Sequence, residues 1–433
     1  MFVRRRSDPP DPMAPPPPSH PAQPPEPPFL QTPVELLEEI FLRLPTAEDL
    51  ARASTACASF HRVIGGHGFL RRYRVLHRPP LIGMFHKPFL TALPPHPSAL
   101  AARAFADFDF SCSSFLPSTA GRAWSPIDFF DGRALLDCTP VEHGSGSAIL
   151  VGPDGEVCDF QYREFLVRDL AVCDPVHRRY VLLPAVPGNL KAMVHRSDLL
   201  GLETFLAPGD DEEDPLSFRV MCLAECRMHL LLLVFSSLDG QWQVHTYCQW
   251  NAKATFASFE KSESGLSYRR LVHGSFCWNL HFLNKLLLLD KHTLEFSAVN
   301  LPPERIWRSR FVIVEAAEGA LGRLTIWYDQ YSEYGSYILT YCVLRNNHWK
   351  SEKVIPLPIS RAILIGVAGG YLLIEGFYTT PSQGELSQEA LKFGYFSVDL
   401  KTLQVELFAG LSKSIFPGRL YAGFPPSLRP PTV

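Results

Sequence analysis

The sequence predicts an α+β chain: a small helical unit near the N-terminus, then a larger all-β domain arranged as a β-propeller of six to eight blades. Three observations carry that expectation. Between positions 32 and 80 apolar residues recur at three- and four-residue steps, the period of helices. From about residue 97 the period changes to alternation, which belongs to strands. A turn motif then repeats along the alternating region at a spacing that suits successive blades.

The bulk numbers frame this division. The chain has 433 residues, too many for one small core. Hydrophobic residues make up 46% and charged residues 20%, so most of the chain can bury a core. The formal net charge of −3 gives no electrostatic case for nucleic acid or an anionic membrane as the main partner. Aromatics reach 12%, with 30 Phe and 14 Tyr, which favours strands over helix bundles. The ten cysteines show no framework spacing and read as reduced, mostly buried thiols. The start, MFVRRRSDPP, is basic but lacks the apolar stretch of a secretory signal. Apolar runs such as Leu230 to Phe235 fall far short of the roughly 18 residues a membrane span needs. A soluble protein of the cytoplasm, the nucleus or both is the expectation.

Residues 1–31 form a Pro-rich leader, with Pro15 to Pro18 in one run. Such a segment lacks backbone donors and apolar mass, so it is expected to be disordered or locally extended. Residues 32–80 follow as the helical unit. Val34, Leu36, Leu37, Ile40, Phe41 and Leu44 share a helical period. Thr32 with Glu35 reads as a capping box and Pro33 as the first helical residue, where its missing N–H is harmless. Pro45 ends that helix, and Thr46-Ala47-Glu48-Asp49 signals the next start. A second helix carries Leu50, Ala53 and Cys57. A third carries Phe60, Val63 and Ile64 and stops at the glycines at 65, 66 and 68. A fourth runs from Phe69 to Leu76.

Residues 97–425 form the expected all-β domain. Phe218-Arg-Val-Met-Cys-Leu, Trp242-Gln-Val-His-Thr-Tyr-Cys and Arg323-Leu-Thr-Ile-Trp-Tyr alternate. Turn pairs stand between such runs: Asp131-Gly132, Asp154-Gly155, Asp239-Gly240, Asn346-Asn347 and Gly369-Gly370. The repeat is Asp290-Lys-His-Thr293-Leu294, matched by Asp399-Leu-Lys-Thr402-Leu403 and loosely by Asp174-Pro-Val-His-Arg. An Asp at the head of each copy can accept hydrogen bonds from its own downstream backbone and turn one strand into the next. Copies lie roughly 110 residues apart, or two to three units of 40–50.

The segment from Pro33 to Ile64 resembles an F-box. The match runs through Pro33, Glu35, Leu36, Ile40, Leu44, Pro45, Asp49, Leu50, Cys57, Phe60 and Ile64. It departs from the family pattern at three places: Thr32 precedes Pro33, Ala56 precedes Cys57, and Phe60 stands where a Trp is usual. Phe69-Leu70-Arg71-Arg72-Tyr73 through Gly83 looks like the extension found in plant F-box proteins. Ala171-Val172-Cys173-Asp174-Pro175 through Leu183-Pro184 is similar to their associated β domain. The resemblance implies a substrate-recognition adaptor of an SCF-type ubiquitin ligase. It implies that the eleven matched residues dock an SKP-type adaptor and through it a cullin, while the β domain holds a protein target.

Physical reasoning agrees with the docking half. Some 45 residues in three short helices cannot hide all their apolar side chains alone. The surplus calls for a second chain, as when a helix lies in a groove. No cofactor and no catalytic set is expected, because an adaptor works by proximity. Cys222, Cys226 and His229 have partial zinc spacing without a second pair, so they read as hairpin core or surface residues. The acidic run Asp210 to Asp214 reads as a solvated loop. Gly65-Gly66-His67-Gly68 lacks the ending of a phosphate loop. Trp242, Trp278, Trp327 and Trp349 recur near strand ends and read as blade-to-blade packing rather than a binding rim. Two other readings fit the same residues: a propeller enzyme or carbohydrate-binding protein with a helical leader, and a scaffold acting outside any ligase.

Overall fold

The structure is a computed structural model that describes residues 32–424, apart from 86–88, 109, 111, 120, 141–168, 192, 194–198, 210–215, 227–228, 248–265, 281–283, 303–309, 330–335, 381–389 and 412–417. The Pro-rich leader, the Asp154-Gly155 turn and the acidic run lie outside the described residues.

Four helices come first: α1 Val34–Leu42, α2 Ala47–Ser54, α3 Ala58–Ile64 and α4 His67–Leu76. Thr46 caps α2 as its sequence predicts, accepting a hydrogen bond from the Asp49 amide at 3.1 Å and donating its hydroxyl to the Asp49 carboxylate at 2.8 Å. The predicted capping box at Thr32 does not form. Pro33 is itself the residue before the helix, in extended backbone, and no side chain caps α1. Gly65 ends α3, whereas Gly68 lies inside the first turn of α4.

Among the described residues twenty-three strands make six antiparallel sheets. A three-stranded sheet pairs β1 (Leu81–Phe85) with β2 (Leu90–Thr91) and with β23 (Arg419–Ala422). Five four-stranded meanders follow in chain order. The first is β3 (Arg122–Phe130), β4 (Arg133–Pro140), β5 (Asp169–Asp174) and β6 (Arg179–Leu182). The second is β7 (Leu199–Pro208), β8 (Phe218–Cys226), β9 (Leu230–Ser236) and β10 (Gln241–Tyr247). The third is β11 (Leu266–Val272), β12 (Ser275–Leu280), β13 (Lys285–Asp290) and β14 (Phe296–Asn300). The fourth is β15 (Arg310–Glu315), β16 (Leu321–Asp329), β17 (Ser336–Arg345) and β18 (His348–Pro356). The fifth is β19 (Ser360–Ala368), β20 (Tyr371–Thr380), β21 (Ala390–Asp399) and β22 (Val405–Leu411).

The opening strand of each meander and β23 form the inner ring, so the molecule is a six-bladed β-propeller. The predicted range of six to eight blades resolves at its lower end. The boundary at 97 is corrected: the propeller begins at Leu81, because β1 and β2 belong to the closing blade. A short helix, α5 (Ala99–Arg103), also lies past that boundary and packs on β1.

The three repeated Asp turns join the third and fourth strands of their blades. Oδ1 of Asp174 accepts from Val176 N at 3.0 Å and His177 N at 3.2 Å. Oδ1 of Asp290 accepts from His292 N and Thr293 N, each at 2.9 Å. Oδ1 of Asp399 accepts from Lys401 N at 2.8 Å and Thr402 N at 2.7 Å. The fourth residue after each Asp takes a left-handed backbone, at Arg178, Leu294 and Leu403. Ser236 plays the same part in the second blade, with Gly240 in the left-handed place. The fourth blade instead turns through Asn346-Asn347, both at positive φ, a two-residue hairpin.

The core lies between blades. β8 and β9 are buried along their whole length, since neighbouring blades cover both faces. Cys222 and Cys226 belong to that core, which settles the choice between core and surface that their sequence left open. All the described cysteines are free thiols. Three tryptophans lace blades together. Trp242 donates to Pro184 O at 2.8 Å, Trp278 to the Glu203 carboxylate at 2.6 Å, and Trp349 to Asn300 O at 3.1 Å. Trp327 bonds Thr340 within its own blade. Arg269 on β11 binds Asp128 of β3 at 2.8 Å and Glu203 of β7 at 2.9 Å, tying three inner strands together. Burial alone would favour the neutral form of Arg269, but the two carboxylates outweigh it and raise its pKa.

Candidate docking surface and its mounting

The helical unit has its own core. Leu37, Phe41 and Leu42 of α1 meet Leu50 of α2, Ile64 of α3 and Tyr73 of α4. Phe60 packs edge-on against Phe41, with ring centroids 5.0 Å apart. This packing uses one side of α1. On the other side Leu36 is 52% exposed and Ile40 46% exposed, one turn apart. Val34 is also 52% exposed. Leu44 continues the stripe and is half-buried, and Pro33 and Pro45 lie exposed at the two ends of α1. An apolar ridge therefore faces solvent.

The eleven matched residues do not all reach this ridge. Leu36 and Ile40 stand on it, with Pro33, Leu44 and Pro45 around it. Glu35 is exposed in the first turn of α1. Asp49 is engaged by Thr46 and by Arg52, the latter at 3.5 Å. Cys57 is half-buried at the start of α3, its carbonyl accepting from His61 N at 3.0 Å. Leu50 and Ile64 have no exposed surface, and Phe60 is half-buried against Phe41. The structure places Leu50 and Ile64 behind α1 rather than on the ridge. Val34 adds exposed apolar surface that the motif match did not include. Acidic side chains border the ridge, and Arg72 of α4 ties down two of them, Glu38 at 2.7 Å and Glu39 at 2.5 Å.

The described residues fasten the unit to the propeller at several points. Phe424, just past β23, inserts into the helical core, 6.0 Å centroid to centroid from Tyr73. Arg74 lies over the Phe424 ring at 5.7 Å. Gly423 N donates to Pro80 O at 3.1 Å. Arg78 pairs with Glu315, the last residue of β15, at 2.5 Å. At Gly369 the turn between β19 and β20 runs so close to the end of the helical unit that an added Cβ would lie 2.8 Å from Pro79 O, and φ is +56°. Only glycine suits that place. Within the helical unit His77 ties α4 to α1: its Nε2 meets Leu42 O at 2.8 Å and its ring stacks on Tyr73. Burial, with Glu48 and Asp49 nearby, pushes the Tyr73 hydroxyl well above its usual pKa. No sequence signal points to Phe424, because its partners lie at the other end of the chain.

Among the described residues no group of three or more His, Cys, Asp or Glu is placed to hold a metal ion. No described helix is long and apolar enough to cross a membrane.

Fold and mounting together define a six-bladed β-propeller that carries a four-helix unit with an unpartnered apolar ridge. No family model and no curated protein matches the chain. Among solved structures it is similar to a prolyl endopeptidase, from a study of two such enzymes, at 10% identity and a TM-score of 0.28. That alignment covers 78% of this chain and 60% of the other, so the chain spans under two thirds of that neighbour. It is also similar to the WD40 domain of SCAP from fission yeast, at 8% identity and a TM-score of 0.24, covering 67% of this chain and 88% of that one. Likenesses this distant carry no functional argument, and the propeller rests on its own strand order.

Proposed function

We propose that this chain is the target-holding adaptor of an SCF-type ubiquitin ligase, docking an SKP-type adaptor through α1 and holding a protein target on its propeller. The observation that carries the reading is the exposed pair Leu36 and Ile40 on a helix whose other side is a finished core. Each large apolar side chain fully buried by a partner contributes roughly 1.5–3 kcal/mol, and several together offset the cost of association. The F-box resemblance names the partner that would cover them. The rigid mounting suits the task. An adaptor raises the local concentration of target lysines, and a fixed link between its two ends preserves that gain. The deciding experiment is co-precipitation of the SKP adaptor with wild type and with Leu36→Asp plus Ile40→Asp. At least a tenfold loss is expected from the double variant, whose core side chains are untouched. Equal recovery would overturn the reading.

A further inference from the structure

The two mouths of the propeller differ in kind. The inner strands end where the helical unit sits: Glu315 closes β15 beside Arg78, Ala368 leads into Gly369 beside Leu81, and Ala422 pairs with Leu81. The opposite mouth, where those strands begin, is free of the helical unit. Arg122 opens β3 there, Arg361 is the second residue of β19, and Arg419 opens β23. These are three consecutive members of the inner ring. Arg122 is spoken for by Asp169, at 2.7 Å. Arg361 and Arg419 are exposed, and neither makes an ion pair with a described residue. Arg361 stands in a β-bulge, where the register with β20 shifts between Ser360 and Ile363. Its φ is +55°, a left-handed backbone that a long side chain adopts only at a cost. Bulges of this kind re-aim a side chain at the rim of a sheet.

The neighbouring blade adds aromatic surface at the same mouth. Tyr328, near the end of β16, is 52% exposed and packs on Tyr337 of β17, ring centroids 5.2 Å apart. Tyr337 O accepts from Leu357 N at 2.8 Å, which sets the pair beside the connection into β19 and Arg361. Tyr and Arg are the residue types that dominate binding hot spots.

We infer that the rim formed by Arg361, Arg419, Tyr328 and Tyr337 binds an acidic peptide segment of the target protein. The inference deepens the proposed function and rests on its claim that the propeller holds a protein. Guanidinium groups recognise carboxylates in a two-pronged way, and the tyrosines supply apolar contact beside them. The overall charge of −3 argues against a nucleic acid as the ligand.

The test is selection of random dodecapeptides displayed on phage by the full-length protein. Asp and Glu should be enriched at least threefold over the unselected library. Arg361→Glu with Arg419→Glu should abolish that enrichment. Arg361→Gly is the second variant: glycine relieves the left-handed backbone, so the fold is kept while the acid preference weakens. A library without acid enrichment, or equal enrichment by the double variant, overturns the inference. So does a random single-stranded oligonucleotide that binds as tightly as the selected peptides. Leu36→Asp plus Ile40→Asp should leave the enrichment intact, which separates this site from the docking ridge. If the SKP adaptor is not bound and the acid enrichment persists, the peptide site stands and the ligase reading falls.

Discussion

His96 is 2% exposed, wedged between the rings of Tyr371 and Phe408. Its Nδ1 accepts from Ser98 N at 3.1 Å, while its Nε2 finds no hydrogen-bond partner among the described residues. Burial lowers its pKa from 6.5 to about 4. Between those values the unfolded chain holds a proton that the folded chain lacks. His96 therefore contributes full stability above pH 6.5, and that contribution falls as the pH drops toward 4, by about 3 kcal/mol in all. His96→Phe should be less stable at neutral pH, since the Ser98 bond is lost, but its melting temperature should fall less on acidification. Parallel pH profiles for the two proteins would refute this assignment. The sequence did not mark His96, because its environment is assembled from the closing blade and the fifth blade. The exposed apolar ridge on α1 was more legible. Helical spacing placed Leu36 and Ile40 on one stripe, but spacing reports a helix face and not what covers it. Spacing therefore did not show that Leu50 and Ile64 lie behind α1 rather than on the ridge.

At the scale of elements, the Asp turns show how much a local motif can carry. In each copy one carboxylate oxygen satisfies two backbone amides and lets the next-but-one residues turn back. The amides of Thr293 and His292 hold the Asp290 carboxyl below its ordinary pKa. Asp399→Ala should cost about 1–2 kcal/mol, and the same change at Asp290 should add to it, since the turns lie in different blades. Chemical denaturation of the single and double variants measures both terms, and a double variant no worse than either single one would contradict independence. These turns were readable because every atom involved lies within five residues. The blade count was not readable to the same degree. Ser236 replaces Asp in the second blade and Asn346-Asn347 shortens the turn in the fourth, so the repeat broke where the structure continued. β1 was missed for another reason. It has five residues, and its main partner, β23, comes about 340 residues later (81 to 422).

At the scale of the whole molecule, Phe424 makes the helical unit and the propeller share a core. It is 5% exposed, and Phe→Ala changes at such sites cost about 3–5 kcal/mol. Wild type should unfold in one calorimetric transition. Phe424→Ala should split it, with the helical unit melting first and becoming sensitive to protease ahead of the blades. A single transition at an unchanged temperature would show that the two parts were never coupled through this residue.

The closing sheet sets a timetable as well as a shape. A ribosome adds about 5–20 residues each second, so β1 emerges roughly 20–70 s before the strand that completes its blade. Through that interval the ring stays open, with unpaired strand edges of the kind that recruit stray chains. The helical core waits too, because Phe424 is made after β23. Only a chain translated past this point can hold α1 firmly, so nascent and prematurely terminated products present a looser ridge than the finished protein.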